Sequence, residues 1–487
     1  MGDQLQFIQL EVMVVALGLL VLLADLFVSE AARRSLGWVA AGALGLVFLL
    51  SFRESFVGLA DGDAFGGIYR LDGLALFFKR FFLLTAIFVL IFAMDFASRL
   101  KGGVSEYLAF VLFALSGMMF ASSANDFSLL FVAIELITVT FYILVSFQRH
   151  RMHSLEAGVK YLILGAVSSA FLVYGIALVF GEAGSLKFDV IRAAHVGLLG
   201  SNVFLFGMLF VFAGLAFKIS AFPFQVWAPD VYQGAPTPTT TFLAVGSKAA
   251  GFVLLIRLFG SVVPELTVQW TGMLMVVAAL TILYGNLCAL PQRNLKRLLA
   301  YSGIANAGYL LMGIVAQSGE GTAAILYYLA GYLFTIVAAF MIIYLVTRDG
   351  EGEDISCLAG LNKRSPFLAF ALALCAVSLA GIPPLAGFFG KFLLVKSVAA
   401  KAFGDAGYFA LLAVAVFGVV VSIYYYFGII RTIYWSKDTS DDSPLAIAWP
   451  TRIALGLCVA AILYLGLLPN KPINWANAAA KIEAATE

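Results

Sequence analysis

Three charges stand out in the long apolar stretches of this chain: Glu135, Lys218 and Lys391. An ionised side chain near the centre of a bilayer costs at least about 2.5–3.5 kcal/mol on insertion scales. A carboxylate and amines kept at that cost point to ion or proton handling. Glu135 lies near the middle of NDFSLLFVAIELITVTFYILV, and a further amine, Lys248, lies in FLAVGSKAAGF. Burial destabilises an ammonium, and a nearby carboxylate restores it. A Glu135–Lys218 pair that closes holds a proton on the lysine, and one that opens favours its release. Lys248 and Lys391 would pass that proton on through water.

The segments around two of these lysines are interrupted. One reads GLAFKISAFPFQVWAPDVYQGAPTPTT, with Pro223 shortly after Lys218. The other reads SLAGIPPLAGFFGKFLLVKSVA, with Pro383 and Pro384 ahead of Lys391. Proline removes a backbone donor and clashes with the preceding turn. Lipid cannot satisfy the freed carbonyls, so protein or water must. Paired broken spans in the two halves of a chain mark a transport site. The order of lysine and proline is opposite in the two segments, and no residue-level repeat links the halves.

Composition sets the class. The chain has 487 residues, 62% hydrophobic and 12% charged, with mean hydropathy +0.99. Soluble proteins carry roughly 25% charged residues, so this is an all-α polytopic membrane protein. The net charge of +2 gives no basic face for nucleic acid. The four cysteines, Cys288, Cys357, Cys375 and Cys458, form no CxxC pair, which argues against iron–sulfur or zinc ligation. His150, His153 and His195 fall in or beside expected loops, which argues against haem ligation in the membrane. The start, MGDQLQFIQLE, lacks the basic region of a signal peptide, and Leu10–Val28 reads as a retained span.

A helix crosses the hydrocarbon in about 20 residues, which gives about fourteen spans here. They fall near 7–29, 36–53, 73–97, 105–122, 126–147, 157–180, 202–231, 238–260, 270–290, 298–317, 322–346, 366–401, 408–434 and 450–468. Arg33, Arg34, Arg99, Lys101, Arg149, Arg151, Lys160, Arg293, Lys296, Arg297, Arg348, Lys363, Arg364, Arg431 and Lys437 concentrate in the odd-numbered loops. The positive-inside rule puts those loops in the cytoplasm and both termini opposite, which requires an even number of spans. The connections near 52–72, 181–201, 347–365 and 435–449 leave no room for a soluble domain, and Ala476–Ala485 reads as a short surface helix.

Other charges have local readings. Lys79 and Arg80 sit near one end of the third span, where long side chains snorkel. Lys296 and Arg297 anchor a helix end, and Glu156 and Lys160 have the spacing of a helix-surface pair. Glu11 and Asp25 either face a pore or pair with a neighbouring subunit. Tyr424–Tyr426 read as packing or interfacial aromatics.

Four stretches together carry a family resemblance: EAGVKYLILGAVSSAFLVYG, FKISAFPFQVWAPDVYQGAPTPTTTFLAVGSK, NLKRLLAYSGIANAGYLL and GIPPLAGFFGKF. The chain resembles the subunit N family of NADH–quinone oxidoreductase, respiratory complex I, which is homologous to antiporter-like proteins. The resemblance is strongest from Leu108 to Tyr434. It implies fourteen helices, two inverted five-helix repeats, and broken helices 7 and 12. The division would then be 1–104 (helices 1–3), 105–265 (helices 4–8), 266–437 (helices 9–13) and 438–487 (helix 14 and tail). The family's proton route falls on Glu135, Lys218, Lys248 and Lys391. The chain itself would hold no redox cofactor, with NADH, FMN, iron–sulfur clusters and quinone in other subunits. Its partners would be other membrane-arm subunits, lipid, protons and internal water, in a bacterial inner membrane.

Two positions depart from the family pattern. Many relatives have histidine at Gln225 and at Asn306. Both replacements hydrogen-bond but do not titrate near neutral pH. Water held by Gln225, Asn306, Ser220 and Ser302 is the substitute expected here. A cation/proton antiporter of the Mrp type and a structural membrane-arm spacer are the competing readings. Lys391, the short C-terminus and the stretch around Pro223 favour subunit N.

Overall fold

The computed structural model describes residues 2–29, 33–53, 62–100, 103–348, 352–436 and 444–481. Lys101 and Lys437 lie outside the described residues. The chain forms two compact units. The first comprises Met1–Ser220, Gly234–Trp270 and Ala478–Glu487; the second comprises Ala221–Gln233 and Thr271–Asn477. The chain thus leaves the first unit at Ser220 and returns to it at Gly234.

The main helices of the first unit are α1 (Gln9–Asp25), α2 (Arg33–Leu50), α3 (Gly73–Phe96), α4 (Val104–Ser122), α5 (Phe127–Val145), α6 (Met152–Ala183) and α7 (Asn202–Ile219). Between α2 and α3 lies a small antiparallel hairpin, β1 (Gly62–Ala64) and β2 (Tyr69–Leu71). After the short α8 (Ala228–Gly234) come α9 (Thr237–Phe242), a π-helical stretch Leu243–Ser247, α10 (Lys248–Arg257) and a second π stretch Leu258–Val262. The second unit contains α11 (Thr271–Ala289), α12 (Leu295–Val315), α13 (Gly319–Thr347), α14 (Pro366–Ala380), α15 (Ala386–Ala399), α16 (Ala406–Trp435), α17 (Trp449–Leu467) and α18 (Asn470–Ala479).

Among the described residues, twelve helices are long and apolar enough to cross a membrane. The other two expected spans correspond to α1, with 17 residues, and to the interrupted pair α14 and α15. The tail helix begins earlier than expected, at Asn470. Polar side chains fix where helices start. Asp72 accepts from Ala75 N at 2.7 Å to cap α3. Asn294 accepts from Arg297 N at 3.0 Å to cap α12, and Pro366 occupies the first turn of α14 behind Ser365. Each satisfies a terminal N–H or removes one. Small residues set the close crossings: a Cβ on Gly175 of α6 would stand 2.6 Å from Gly207 O of α7. Such contact stabilises helix pairs in lipid.

The span Thr237–Gly260 is wholly buried, and α12 and α13 are nearly so. A helix that is hydrophobic all round is a buried one, and the polar residues in these three therefore face protein.

Three local readings need correction. Lys79 does not snorkel: it is fully buried and pairs with Glu11 at 2.8 Å. Glu11 thus faces neither a pore nor a partner, while Asp25 pairs within the chain with Arg33 at 2.9 Å. Lys296 is 2% exposed and pairs with Glu353 at 2.6 Å, so it locks α12 to the connection between α13 and α14 as well as marking a helix end. Arg80 is half-buried and donates to Ser51 O at 2.7 Å. The Glu156–Lys160 pair forms at 2.8 Å.

Candidate proton-handling sites

The first unit brings Glu135, Lys218 and Lys248 into one region. Lys218 occupies the last turn of α7, which ends at Ser220 in a left-handed conformation, φ 60°. A cation is favoured at a helix C-terminus, where free carbonyls carry the negative end of the dipole. Lys218 Nζ donates to Thr138 Oγ1 of α5. That hydroxyl in turn donates to Ile134 O at 2.6 Å. Glu135 lies one turn away on the same helix, and its Oε1 accepts from Ser169 Oγ of α6 at 2.5 Å. Among the described residues Glu135 and Lys218 form no direct ion pair; each is held by its own hydroxyl. The two groups are linked through one turn of α5.

Lys248 is the first residue of α10, directly after a π stretch, a distortion that recurs at functional sites. It is 2% exposed. One turn on, Gly251 lets α10 approach α7: a Cβ there would meet Ile219 Cγ2 at 2.6 Å and Lys218 Cβ at 3.3 Å. The two lysine-bearing helices thus touch beside both lysines.

The second unit holds Lys391. The break between α14 and α15 leaves the last carbonyls of α14 without helical donors. Lys391 Nζ, from the second half-helix, donates back to Leu379 O at 2.8 Å and Ala380 O at 3.4 Å. Gly381 N and Ile382 N bond Ser378 O and Val377 O, and Gly387 N bonds Ser378 Oγ at 3.2 Å. Gly381 has φ 84°, which suits glycine. A Cβ there would also meet the Lys391 stem at 2.9 Å.

The Lys391 ammonium lies 4.9 Å from the centroid of Tyr309. The Tyr309 hydroxyl donates to Ala415 O at 3.0 Å. Nearby on α16, Tyr425 donates to Asn286 Oδ1 at 3.0 Å, and Tyr426 shares a hydrogen bond with Ser302. Tyr424 alone of the three tyrosines is exposed, at 74%. The other two belong to a polar network as well as to the packing.

Gln225, Ser302 and Asn306 are all buried in the second unit, and Ser220 in the first. Gln225 Oε1, Asn306 Nδ2 and Ser220 Oγ have no hydrogen-bond partner among the described residues. Buried polar atoms of this kind call for water. Pro223, Pro383 and Pro384 lie in the two breaks. Thr138, Ser169, Tyr309 and Asn286 were not singled out from the sequence. The only signal was position, since Thr138 falls one helical turn from Glu135. Among the described residues no group of three or more His, Cys, Asp or Glu side chains is placed to hold a metal ion.

Comparison with known proteins gives concordant results. A family profile described as NADH:quinone oxidoreductase/Mrp antiporter, transmembrane, matches residues 124–422. A protein of Moorella thermoacetica named NADH-quinone oxidoreductase subunit N is 38% identical over 474 residues, covering 97% of each chain. A chain of respiratory complex I from Thermus thermophilus superposes with TM-score 0.79 at 30% identity, covering 96% of this chain and 99% of that one. A chain of the Mrp complex from Dietzia shares the fold, with TM-score 0.84 at 20% identity over 98% of this chain and 97% of that one.

Proposed function

The chain belongs to the NADH:quinone oxidoreductase/Mrp antiporter family, as a subunit N, and from that premise we propose that it translocates protons in the membrane arm of an NADH–quinone oxidoreductase. The observation that carries this reading is the setting of the buried amines. Lys218 is held by a neutral hydroxyl one turn from a carboxylate, and Lys391 by the carbonyls of a broken helix. Neither contact neutralises the amine, so its charge responds to small movements of its neighbours.

In this reading Glu135, Lys218 and Lys248 form the station of the first unit. When Glu135 swings from Ser169 toward Lys218, the ammonium is favoured; when it swings back, burial favours release. Lys391 is the station of the second unit, with Tyr309 stabilising its charged form. Gln225, Ser302 and Asn306 hold water in the second unit, and Ser220 does so in the first, and that water carries protons to and from the titrating groups of each unit. Moving one charge against 100 mV requires about 2.3 kcal/mol, and quinone reduction in other subunits supplies it. Electron carriers, NADH and quinone belong to those subunits.

Glu135 also bears on partners. It is half-buried, and Val132 and Val139, which flank it on the same helix face, are 60% and 51% exposed. A carboxylate on an apolar outer stripe is costly against lipid and suits the flank of a neighbouring membrane subunit. The proposed setting is a bacterial inner membrane with both termini on the non-cytoplasmic side.

Affinity purification of the tagged chain from its native membrane tests the assignment. Recovery with an NADH-oxidising assembly whose turnover acidifies or alkalinises sealed vesicles supports it. Recovery without such an assembly, together with sodium–proton exchange, contradicts it and favours an antiporter.

A further inference from the structure

The first unit contains a second buried cluster of ionisable groups that the Lys218 site does not use. Glu11 of α1 and Lys79 of α3 are both 0% exposed and lie 2.8 Å apart. The Tyr69 hydroxyl, from β2, accepts from Lys79 Nζ and lies 2.9 Å from Glu11 Oε1 and 3.0 Å from Phe7 O. Asp72, the cap of α3, takes both Nη groups of Arg257 at 2.8 and 3.0 Å, and Arg257 Nε donates to Ser122 O at 2.6 Å. Arg257 closes α10, whose first residue is Lys248. The helix that begins with Lys248 is therefore tied at its other end to the helix that carries Lys79.

Two features exceed what a clamp between helices needs. First, Glu11 Oε2 is buried with no hydrogen-bond partner among the described residues. Leaving a charged acceptor so costs upward of about 1–3 kcal/mol, and a buried ion pair is in general no more stabilising than apolar packing. Second, the cluster lies directly beneath a polar surface. Strand alternation turns Tyr69, 2% exposed, inward and Arg70 outward. Arg70 pairs with Asp63 at 2.8 Å and reaches Asp189 at 3.4 Å, and Asn125 Nδ2 donates to Asp189 at 3.2 Å.

We propose that Glu11, Tyr69 and Lys79 form a proton-exchange site through which protons pass between the Lys248-bearing helix and the membrane face that carries the Gly62–Leu71 hairpin. The proposal rests on the proton-translocating reading above. In the exchange an N–H bond of the Lys79 ammonium breaks and an O–H bond forms on Glu11, directly or with Tyr69 accepting one proton and giving up its own. The ion pair becomes an amine and a carboxylic acid, with no net charge moved into the cluster. Burial penalises the two charges that their mutual attraction favours. Water at the hairpin face then accepts the proton from Glu11 as hydronium, and Lys79 takes the next one from the relay side. Burial and the Glu11 carboxylate hold the Tyr69 hydroxyl far above its usual range, so Tyr69 passes protons without becoming an anion.

The test uses the assembled complex in sealed membrane vesicles and reads protons moved per electron. Glu11→Gln/Lys79→Gln keeps volume and hydrogen-bonding groups but cannot exchange protons. The expected result is a ratio lowered to the level of the Lys218→Met complex, with assembly intact. If Lys218→Met lowers the ratio and the double variant keeps the parent value, the exchange site is overturned and the cluster is a clamp. Parent ratios in both variants overturn the translocation reading and this site with it. Should the double variant fail to assemble, Lys79→Gln alone decides, since Glu11 can then stay protonated and neutral. A lowered ratio supports the site, and a parent ratio overturns it.

Discussion

Lys391 and Leu379 are joined across a break in the helix: the ammonium on the second half donates at 2.8 Å to a carbonyl that ends the first. Lys218 has an equivalent setting by a different route, since it sits in the last turn of its own first half-helix. In the sequence one lysine precedes its prolines and the other follows them. In space each amine lies at the C-terminal end of a half-helix. The partial negative charge of about half a unit at such an end gives a buried ammonium acceptors that neither lipid nor an intact helix offers.

Thr138 is the direct acceptor for Lys218. Thr138→Val keeps the shape and removes that acceptor. Hydrogen bonds to charged groups contribute about 1.5–3 kcal/mol, and about 1.4 kcal/mol is tenfold in rate. Coupled NADH:quinone turnover is expected to fall roughly tenfold or more, with Thr138→Ser near the parent value.

Tyr309 separates ring from hydroxyl. Tyr309→Phe keeps an aromatic face under Lys391 but removes the hydroxyl that donates to Ala415 O. It should lower thermal stability by about 1 kcal/mol and preserve pumping. Tyr309→Leu removes the ring, which contributes about 2 kcal/mol when desolvated, and pumping should drop. A thermal unfolding assay alongside vesicle pumping distinguishes the two.

Gly387 sets the approach of the two half-helices. An added Cβ would stand 1.8 Å from Ser378 O, a backbone atom that cannot turn aside. Gly387→Ala should displace α15, disrupt the Lys391 contacts and reduce assembled complex in native gels. Gly428→Ala, with nothing within 4 Å of the added carbon, should behave as the parent.

Asp72 gives a pH dependence. Burial alone would raise its carboxyl, but Arg257 outweighs this and holds it below the usual carboxylate range. A depressed acid stabilises the fold above its unfolded value of about 3.9. That contribution is lost as pH falls through the lower folded value. Thermal stability attributable to the pair should thus be flat from neutral pH to about pH 5 and vanish only at stronger acidity. Asp72→Asn leaves Arg257, 5% exposed, unpaired, and should cost about 3–5 kcal/mol at neutral pH. Melting curves of parent and variant across pH measure both effects.

Much of this arrangement is legible in the sequence. A lone charge in an apolar run is a signal that does not depend on fold, and it marked Glu135, Lys218, Lys248 and Lys391. Proline marked both breaks, because it cannot continue a helix without losing a hydrogen bond. The neutral partners were not legible. Threonine, serine and tyrosine are common in spanning helices, and which of them meets a lysine depends on packing between helices. That is why Thr138, Ser169 and Tyr309 emerged only from the structure. Lys79 follows the same logic: near a helix end a lysine normally reaches water, and only the packing that brings Glu11 of α1 to it encloses it.

The central claim is that the buried amines and Glu135 carry protons. Its most direct test is protons translocated per electron in sealed vesicles, for assembled complexes carrying Glu135→Gln, Lys218→Met or Lys391→Met. The account predicts that each variant assembles and pumps fewer protons per electron than the parent. An unchanged ratio in all three, at parent turnover, would contradict it.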